Sequence, residues 1–371
     1  MWKYRGENMA IKYAIAEKMD ENAAAEKIYA DCHEIDPTLV VFFSTSRNDI
    51  GNLGNAIKEK LNAKVIGCTT AGELASGHML KDSVVAMAFS KDTVANVSIN
   101  QIATNAISIN QVKENVKNDF GLDSQQLDPQ KHVGLIFVDG MSGKEETLMD
   151  TLGPQFLIPV IGGSAGDDLQ FKETFVFDNE SARSGAAVLA ILEVPEGFDI
   201  LKTQSFIDTG KTLLPTKVDE PNRKVIEFNN KPALTAYAEA IGKSQEEAAG
   251  SFMHHPVGLM IGDEPFVRSP QKVEGTDMYF YCNIKEGTEL SVLESKDIIQ
   301  STREALGTID LQQVKGLINF NCILRTLELE KKEQTKEYAD LFADIPTIGF
   351  STYGEQYVGH INQTSTIVVF R

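Results

Sequence analysis

One run of elements is written into this chain three times. Residues 40–44 (VVFFS) read as a buried strand, apolar and partly β-branched. A helix follows, with Ile50, Leu53, Ile57 and Leu61 spaced to fall on one face. Then come Ile66-Gly67-Cys68-Thr69-Thr70-Ala71-Gly72-Glu73 and a strand over residues 84–89. The second copy opens at residues 135–139 and continues through a helix carrying Glu145, Leu148 and Leu152, which stops near Gly153 and Pro154. It closes with Ile161-Gly162-Gly163-Ser164-Ala165-Gly166-Asp167-Asp168 and a strand over 187–192. The third copy has a strand at 317–321, a charged helix-prone stretch over 325–343, Ile348-Gly349-Phe350-Ser351-Thr352-Tyr353-Gly354-Glu355, and a final strand over 365–370. From Val40 to Gly67 is 27 positions, as it is from Leu135 to Gly162, and from Leu317 to Gly349 it is 32. Such a repeat fixes the architecture before any single residue is interpreted.

Different material separates the second and third copies. Residues 212–224 are polar with two prolines and suggest a domain junction. A short strand at 225–228, a helix over 234–241 and a strand at 257–261 follow. Residues 278–284 and 290–293 read as a hairpin, and 297–306 as a helix. The expected fold is α/β in the mixed α+β sense: β-sheets packed with helices, built from repeated β-α-glycine-turn-β units, in two domains. Residues 1–34 are expected to form an N-terminal extension with a helix, 35–215 a first domain of two repeats, and 216–371 a second domain holding the third repeat and the hairpin.

Composition narrows the function. Lys and Arg total 35 against 53 Asp and Glu, a formal charge of −18 with no basic run. This argues against nucleic-acid and anionic-membrane partners, which need clustered cations. The apolar runs are strand length, well short of the roughly 20 residues of a membrane span. No apolar leader with a cleavage site opens the sequence, and the four cysteines Cys32, Cys68, Cys282 and Cys322 are widely spaced. A reducing, cytoplasmic setting is expected.

The glycine turns are the first candidates for chemistry, because glycine lets backbone N–H groups approach a ligand closely. Thr69, Thr70, Glu73, Ser164, Asp167, Ser351, Thr352 and Glu355 supply hydroxyls and carboxylates around them. The alternative is a structural turn copied with the repeat. Asn321 and Arg325 follow the third copy's first strand, at a carboxyl end where open α/β sheets gather ligands. Arg325 has the fork geometry to clamp a carboxylate. Tyr353, Glu355, Asn362 and Thr364 flank the same turn, while Ser44, Arg47 and Asp139 occupy the matching strand ends of the other copies. No phosphate loop, nucleophile elbow or metal motif is present. Cys322 with His360 as a nucleophile–base pair is disfavoured, and no catalytic residue is expected. The His254-His255-Pro256 segment offers at most one imidazole to a given pocket. His78 and His360 follow the first and third turns.

Taken together, residues 66–73, residues 161–167, Asn321 with Arg325, residues 349–355, and Asn362 with Thr364 resemble the FIST family. Its two parts, FIST N and FIST C, would span about residues 35 to 370. The resemblance implies a stand-alone sensory protein that binds a small ligand, amino acids among them, and relays it to a separate signalling protein such as a histidine kinase, cyclase or chemoreceptor. It also implies an alternative, a haem-binding nitric-oxide sensor that regulates a histidine kinase, with His254 or His255 as the axial ligand.

Overall fold

The computed structural model describes residues 10–371; residues 1–9 of the expected N-terminal extension lie outside them. The repeat is longer than the sequence suggested. In the first unit, strand β1 (Ile11–Glu17) and helix α1 (Glu21–Cys32) precede β2 (Leu39–Thr45), α2 (Ile50–Leu61), β3 (Lys64–Thr70), the hairpin β4 (Glu73–Ala75) and β5 (His78–Leu80), and β6 (Ser83–Phe89). The second unit runs β7 (Asn96–Ala103), α3 (Ile109–Phe120), β8 (His132–Val138), α4 (Glu145–Leu152), β9 (Val160–Ser164), β10 (Val176–Phe177), β11 (Ala182–Arg183) and β12 (Ala186–Glu193).

The third unit opens with β13 (Phe198–Gln204), and a lobe is inserted before its first helix. The lobe holds β14 (Phe206–Leu213), β15 (Pro215–Asp219), β16 (Lys224–Phe228), β17 (Lys231–Pro232), α5 (Ala233–Ile241), α6 (Gln245–Ala248), β18 (Val257–Ile261), β19 (Glu264–Arg268), β20 (Pro270–Glu274), β21 (Asp277–Phe280) and β22 (Leu290–Ser295). The unit then resumes with α7 (Ile298–Leu306), β23 (Gly316–Cys322), α8 (Ile323–Lys331), α9 (Thr335–Asp340), β24 (Thr347–Thr352), β25 (Glu355–Tyr357), β26 (His360–Ile361) and β27 (Thr364–Phe370). The expected junction at 215/216 falls inside this lobe. The hairpin expected from residues 278–284 and 290–293 does not form: β21 pairs with β16 and β20, whereas β22 pairs with β14 and β18 in the other sheet. Residues 278–284 alternate between buried and half-buried, and residues 290–293 are buried throughout; local pattern does not say which partner each takes.

Each unit builds one sheet in the same strand order and completes it with a hairpin taken from a neighbour. The orders are β1-β6-β2-β3 followed by β10-β11, β7-β12-β8-β9 followed by β25-β26, and β13-β27-β23-β24 followed by β4-β5. Every glycine-turn hairpin therefore leaves its own unit and extends the next, in a closed cycle. Backbone hydrogen bonds repeat that cycle where the turns meet. The amide of Ala71 donates to Ser351 O (3.2 Å), that of Tyr353 to Ser164 O (3.2 Å) and that of Gly166 to Thr69 O (3.0 Å). In each case the fourth residue after the motif glycine donates to the second residue after its counterpart.

The motif glycine is required by close approach. A Cβ at Gly67, Gly162 or Gly349 would lie 2.5, 1.8 or 2.1 Å from the carbonyl oxygen of Phe42, Ile136 or Asn319 on the paired strand. Those three residues occupy equivalent register positions. One step along, Phe43, Phe137 and Phe320 point to the shared centre and form a triangle with ring centroids 5.5, 6.2 and 6.3 Å apart. The inner faces of all three sheets meet in this one core. Helices cover the outer faces: α1 and α2 on the first, α3 and α4 on the second, α7, α8 and α9 on the third. The α2 helix shows why. Asp49 caps it by accepting the Gly51 and Asn52 amides, and Ile50, Leu53, Ile57 and Leu61 all turn inward.

Candidate functional site

The third unit departs from the other two on its helix-covered face. The position opposite the motif glycine is Phe42 in the first unit and Ile136 in the second, both in apolar outer cores. In the third it is Asn319. Two residues on, Ser44 and Val138 correspond to Asn321. The last strand follows suit: Val84 and Ala187 face those positions, but Ser365 faces Asn321.

These substitutions build a buried polar network around Arg325 on α8, which is 1% exposed. Its Nε donates to Asn321 Oδ1 (3.0 Å) and its Nη2 to Thr302 Oγ1 of α7 (3.0 Å). The guanidinium stands over the Tyr338 ring of α9, 5.8 Å from its centre. Tyr338 Oη donates to Asn321 Oδ1 (3.0 Å), and Ser365 Oγ donates to Asn319 Oδ1 (2.8 Å). Asn321 Nδ2 donates to Thr326 Oγ1 (3.0 Å), which lies 2.8 Å from Ser351 Oγ. Arg325 Nη1 is buried with no partner, and among the described residues the guanidinium's hydrogen bonds go to Asn321 and Thr302, neither of them charged. Glu355 feels the guanidinium's charge but makes no ion pair with it, and a buried charge without a direct partner costs several kcal/mol. An anion delivered to Nη1 would offset that cost.

Glu355 is also fully buried. Its Oε2 accepts from the amide and hydroxyl of Thr364 (3.0 and 2.6 Å), while Oε1 has no partner. Burial pushes its carboxyl up to about 8, against the pull of Thr364, Cys322 and Arg325. Glu73 is its counterpart, each pairing with the residue after a motif glycine. It accepts from Thr70 Oγ1 and from the Ser83 amide and hydroxyl, and burial raises it to about 7. Both acids tie their hairpin to the start of their own unit's last strand. In the second unit Val176, not Asp167, takes the equivalent register position.

The remaining sequence candidates fall into two further groups. Asp167 accepts from the Phe171, Lys172 and Glu173 amides and from Tyr353 Oη at 2.5 Å. Phe171 stacks on Tyr353, whose hydroxyl is thus engaged at Asp167 and not at Arg325. Thr69 pairs with Phe175. Ser164 and Asn362 instead join a second buried cluster, where Ser164 Oγ donates to Glu145 Oε1 and Asn362 Oδ1 lies 2.7 Å from Cys282 Sγ. His360 belongs there too, beside Cys282. Cys322 is buried, and burial raises its thiol well above its ordinary range. Among the strand-end residues, Arg47 pairs with Asp82 in the open, Ser44 bonds the Thr45 carbonyl, and Asp139 accepts from Thr174 and Gly185. His254 and His255 are half-buried, with Nδ1 atoms 3.3 Å from Ser295 Oγ and Leu293 O. No observation favours either as a haem ligand.

Sequence reading found Arg325, Asn321 and Ser351 but missed Asn319, Thr302, Tyr338, Thr326 and Ser365. The signal for Asn319 was available: an amide where two copies carry Phe and Ile.

Comparison with known proteins covers most of the chain, with a boundary that falls inside the lobe. The FIST N domain model matches residues 38–231 and the FIST C domain model matches 233–358. The chain belongs to the FIST family. FIST domains are associated with sensory roles in signal transduction. This FIST protein is also similar to an uncharacterized protein of Methanocaldococcus jannaschii, at 22% identity over 295 residues. The match covers 72% of this chain and 57% of that protein's length. No helix among the described residues is long and apolar enough to cross a membrane.

Proposed function

We propose that this FIST protein is a cytoplasmic sensor that binds a small carboxylate, an amino acid or a close relative, at Arg325, and that it is not an enzyme. The observation that carries this reading is the partnerless Arg325 Nη1 inside a polar layer built in one unit only. A carboxylate offers Nη1 an acceptor and the guanidinium a counter-charge in one step. The buried position means the ligand enters only when α7 or α8 moves aside. Binding then biases the helices on the outer face of the third sheet, which is the displacement a sensor needs. The relay runs from those helices to a separate signalling protein, such as a histidine kinase.

The test is thermal denaturation of the full chain across a panel of amino acids and other small carboxylates. A ligand at 100 times its dissociation constant should stabilise the native state by about 2.7 kcal/mol. Arg325→Met should abolish that gain without lowering the ligand-free melting temperature. Removing the guanidinium orphans no acceptor, because Asn321 Oδ1 keeps Tyr338 and Thr302 still donates to Ile298 O. It also relieves a buried charge. A flat panel, or an undiminished shift in Arg325→Met, would reject the reading.

A further inference from the structure

The inserted lobe meets the second and third units at one buried cluster that the proposed sensory site does not use. Cys282, just after β21, is fully buried. Its Sγ lies 2.7 Å from Asn362 Oδ1 and 3.7 Å from His360 O. Glu146, the second residue of α4, accepts the Asn283 amide at Oε1 (2.7 Å) and Arg223 Nη2 at Oε2 (2.5 Å). Arg223 also bridges to Glu145 Oε2 (2.8 Å). His360, 3% exposed, lies against Gly354, where a Cβ would come within 2.1 Å of its Cε1. Its Nδ1 sits 3.1 Å from Gln356 Nε2, and Nε2 has no hydrogen-bond partner among the described residues. One donor atom each from Glu146, Cys282 and His360 fall within 4.8 Å of one another.

We propose that Glu146, Cys282 and His360 form a binding site for a divalent ion of the zinc class. A thiolate, an imidazole and a carboxylate are the donor set that borderline-soft Zn2+ takes. Bonds of roughly 2.0–2.3 Å place tetrahedral ligands roughly 3.3–3.8 Å apart, so the donors close in by about 1 Å on loading. Three protein ligands leave a fourth position for water or for a polar neighbour. Gln356 Oε1 and Asn283 Oδ1 are buried nearby with no partner. Glu145 and Glu146 outnumber Arg223, while Arg268 also acts on Cys282 and His360, so the acids and cations around the empty site balance and the Cys282 thiolate offsets half of the incoming charge. Without metal, burial holds Cys282 as a thiol, so binding releases its proton. The three ligands come from the second unit, the lobe and the third unit's hairpin, so the ion would staple the lobe to the core.

Co2+ titration of the full chain tests this. One equivalent should give a thiolate-to-cobalt charge-transfer band with tetrahedral visible bands, and Zn2+ should displace it. Cys282→Ser should lose the band, whereas Cys322→Ser should keep it. No band in the wild type, or an undiminished band in Cys282→Ser, overturns the site. X-ray absorption on the Zn2+-loaded wild type needs no variant: one sulfur among nitrogen and oxygen ligands supports the proposal, and a shell with no sulfur refutes it.

Discussion

Two buried carboxyls set a pH dependence that can be worked out residue by residue. Glu355 rises to about 8 and Glu73 to about 7, both because burial penalises the charged form. In the unfolded chain each titrates near 4.5. Between 4.5 and those raised values the native state holds a proton that the unfolded chain has lost. Stability therefore falls as pH rises through this window, by up to about 1 kcal/mol per pH unit for each group, and levels off above it. Glu355→Gln should flatten the fall up to about pH 8, and Glu73→Gln up to about pH 7. Urea midpoints at pH 5, 6, 7 and 8 would measure it. Burial lowers His254 and His360, which works in the opposite sense below about pH 6.5, so the decisive comparison is between pH 7 and 8. A Glu355→Gln midpoint that falls there as steeply as the wild type's contradicts the assignment. At this scale the sequence was legible in part. Arg325 stood out because a charged fork follows a strand's carboxyl end. Glu73 and Glu355 looked like ligand acids, because an acid that anchors a hairpin to Ser83 or Thr364 has the same local pattern as one that faces a pocket.

At the scale of elements, the glycine motif was read correctly as a repeat marker, but its physical reason lay across the sheet. The three intervals from strand residue to paired partner, Val41 to Ile66, Leu135 to Ile161 and Ile318 to Ile348, are 25, 26 and 30 residues. The equal spacing of 27 compared Val40 with Leu135, which sit one register step apart. What the units truly share is a carbonyl oxygen pressed on a glycine. Replacing that glycine by alanine should force the paired strands apart, and the order of damage follows the clash: Gly162→Ala worst, Gly349→Ala next, Gly67→Ala least. The first should cost about 3 kcal/mol or more. Denaturant unfolding of the three variants ranks them, and equal, small losses would contradict the close-approach explanation. Helices were expected within residues 1–34 and over 297–306, where α1 and α7 form. But β1, β7, β13 and α3 went unread, and no first strand and helix was recognised as part of the repeat, for a different reason. The lobe separates β13 from α7, which hid the third example of that pair and removed the comparison that would have revealed the other two.

At the scale of the whole molecule, the hairpin exchange makes the three units one cooperative body, whereas the lobe is an addition to it. Hairpins leave in a closed cycle, so no unit has a complete sheet alone, and Phe43, Phe137 and Phe320 share one core. The lobe has its own apolar core, around Tyr237, Phe228 and Phe280. Its two ends also meet: the Lys296 amide donates to Ser205 O at 2.6 Å. In the other units the corresponding strand and helix are joined directly, β1 to α1 and β7 to α3. Replacing residues 206–295 with a short Gly-Ser linker should therefore leave a folded three-unit core. The excision is not neutral, because it strips Arg223 from Glu145 and Glu146 and leaves two carboxylates side by side on α4. Glu145→Gln with Glu146→Gln in the shortened chain should recover stability that the same pair of changes costs the full chain. Circular dichroism with a single cooperative melting transition would establish the folded core, and the opposite signs of the double change in the two backgrounds would identify the lobe's ionic anchor. A shortened chain without a cooperative transition would mean that the third unit needs the lobe to bring β13 and α7 together.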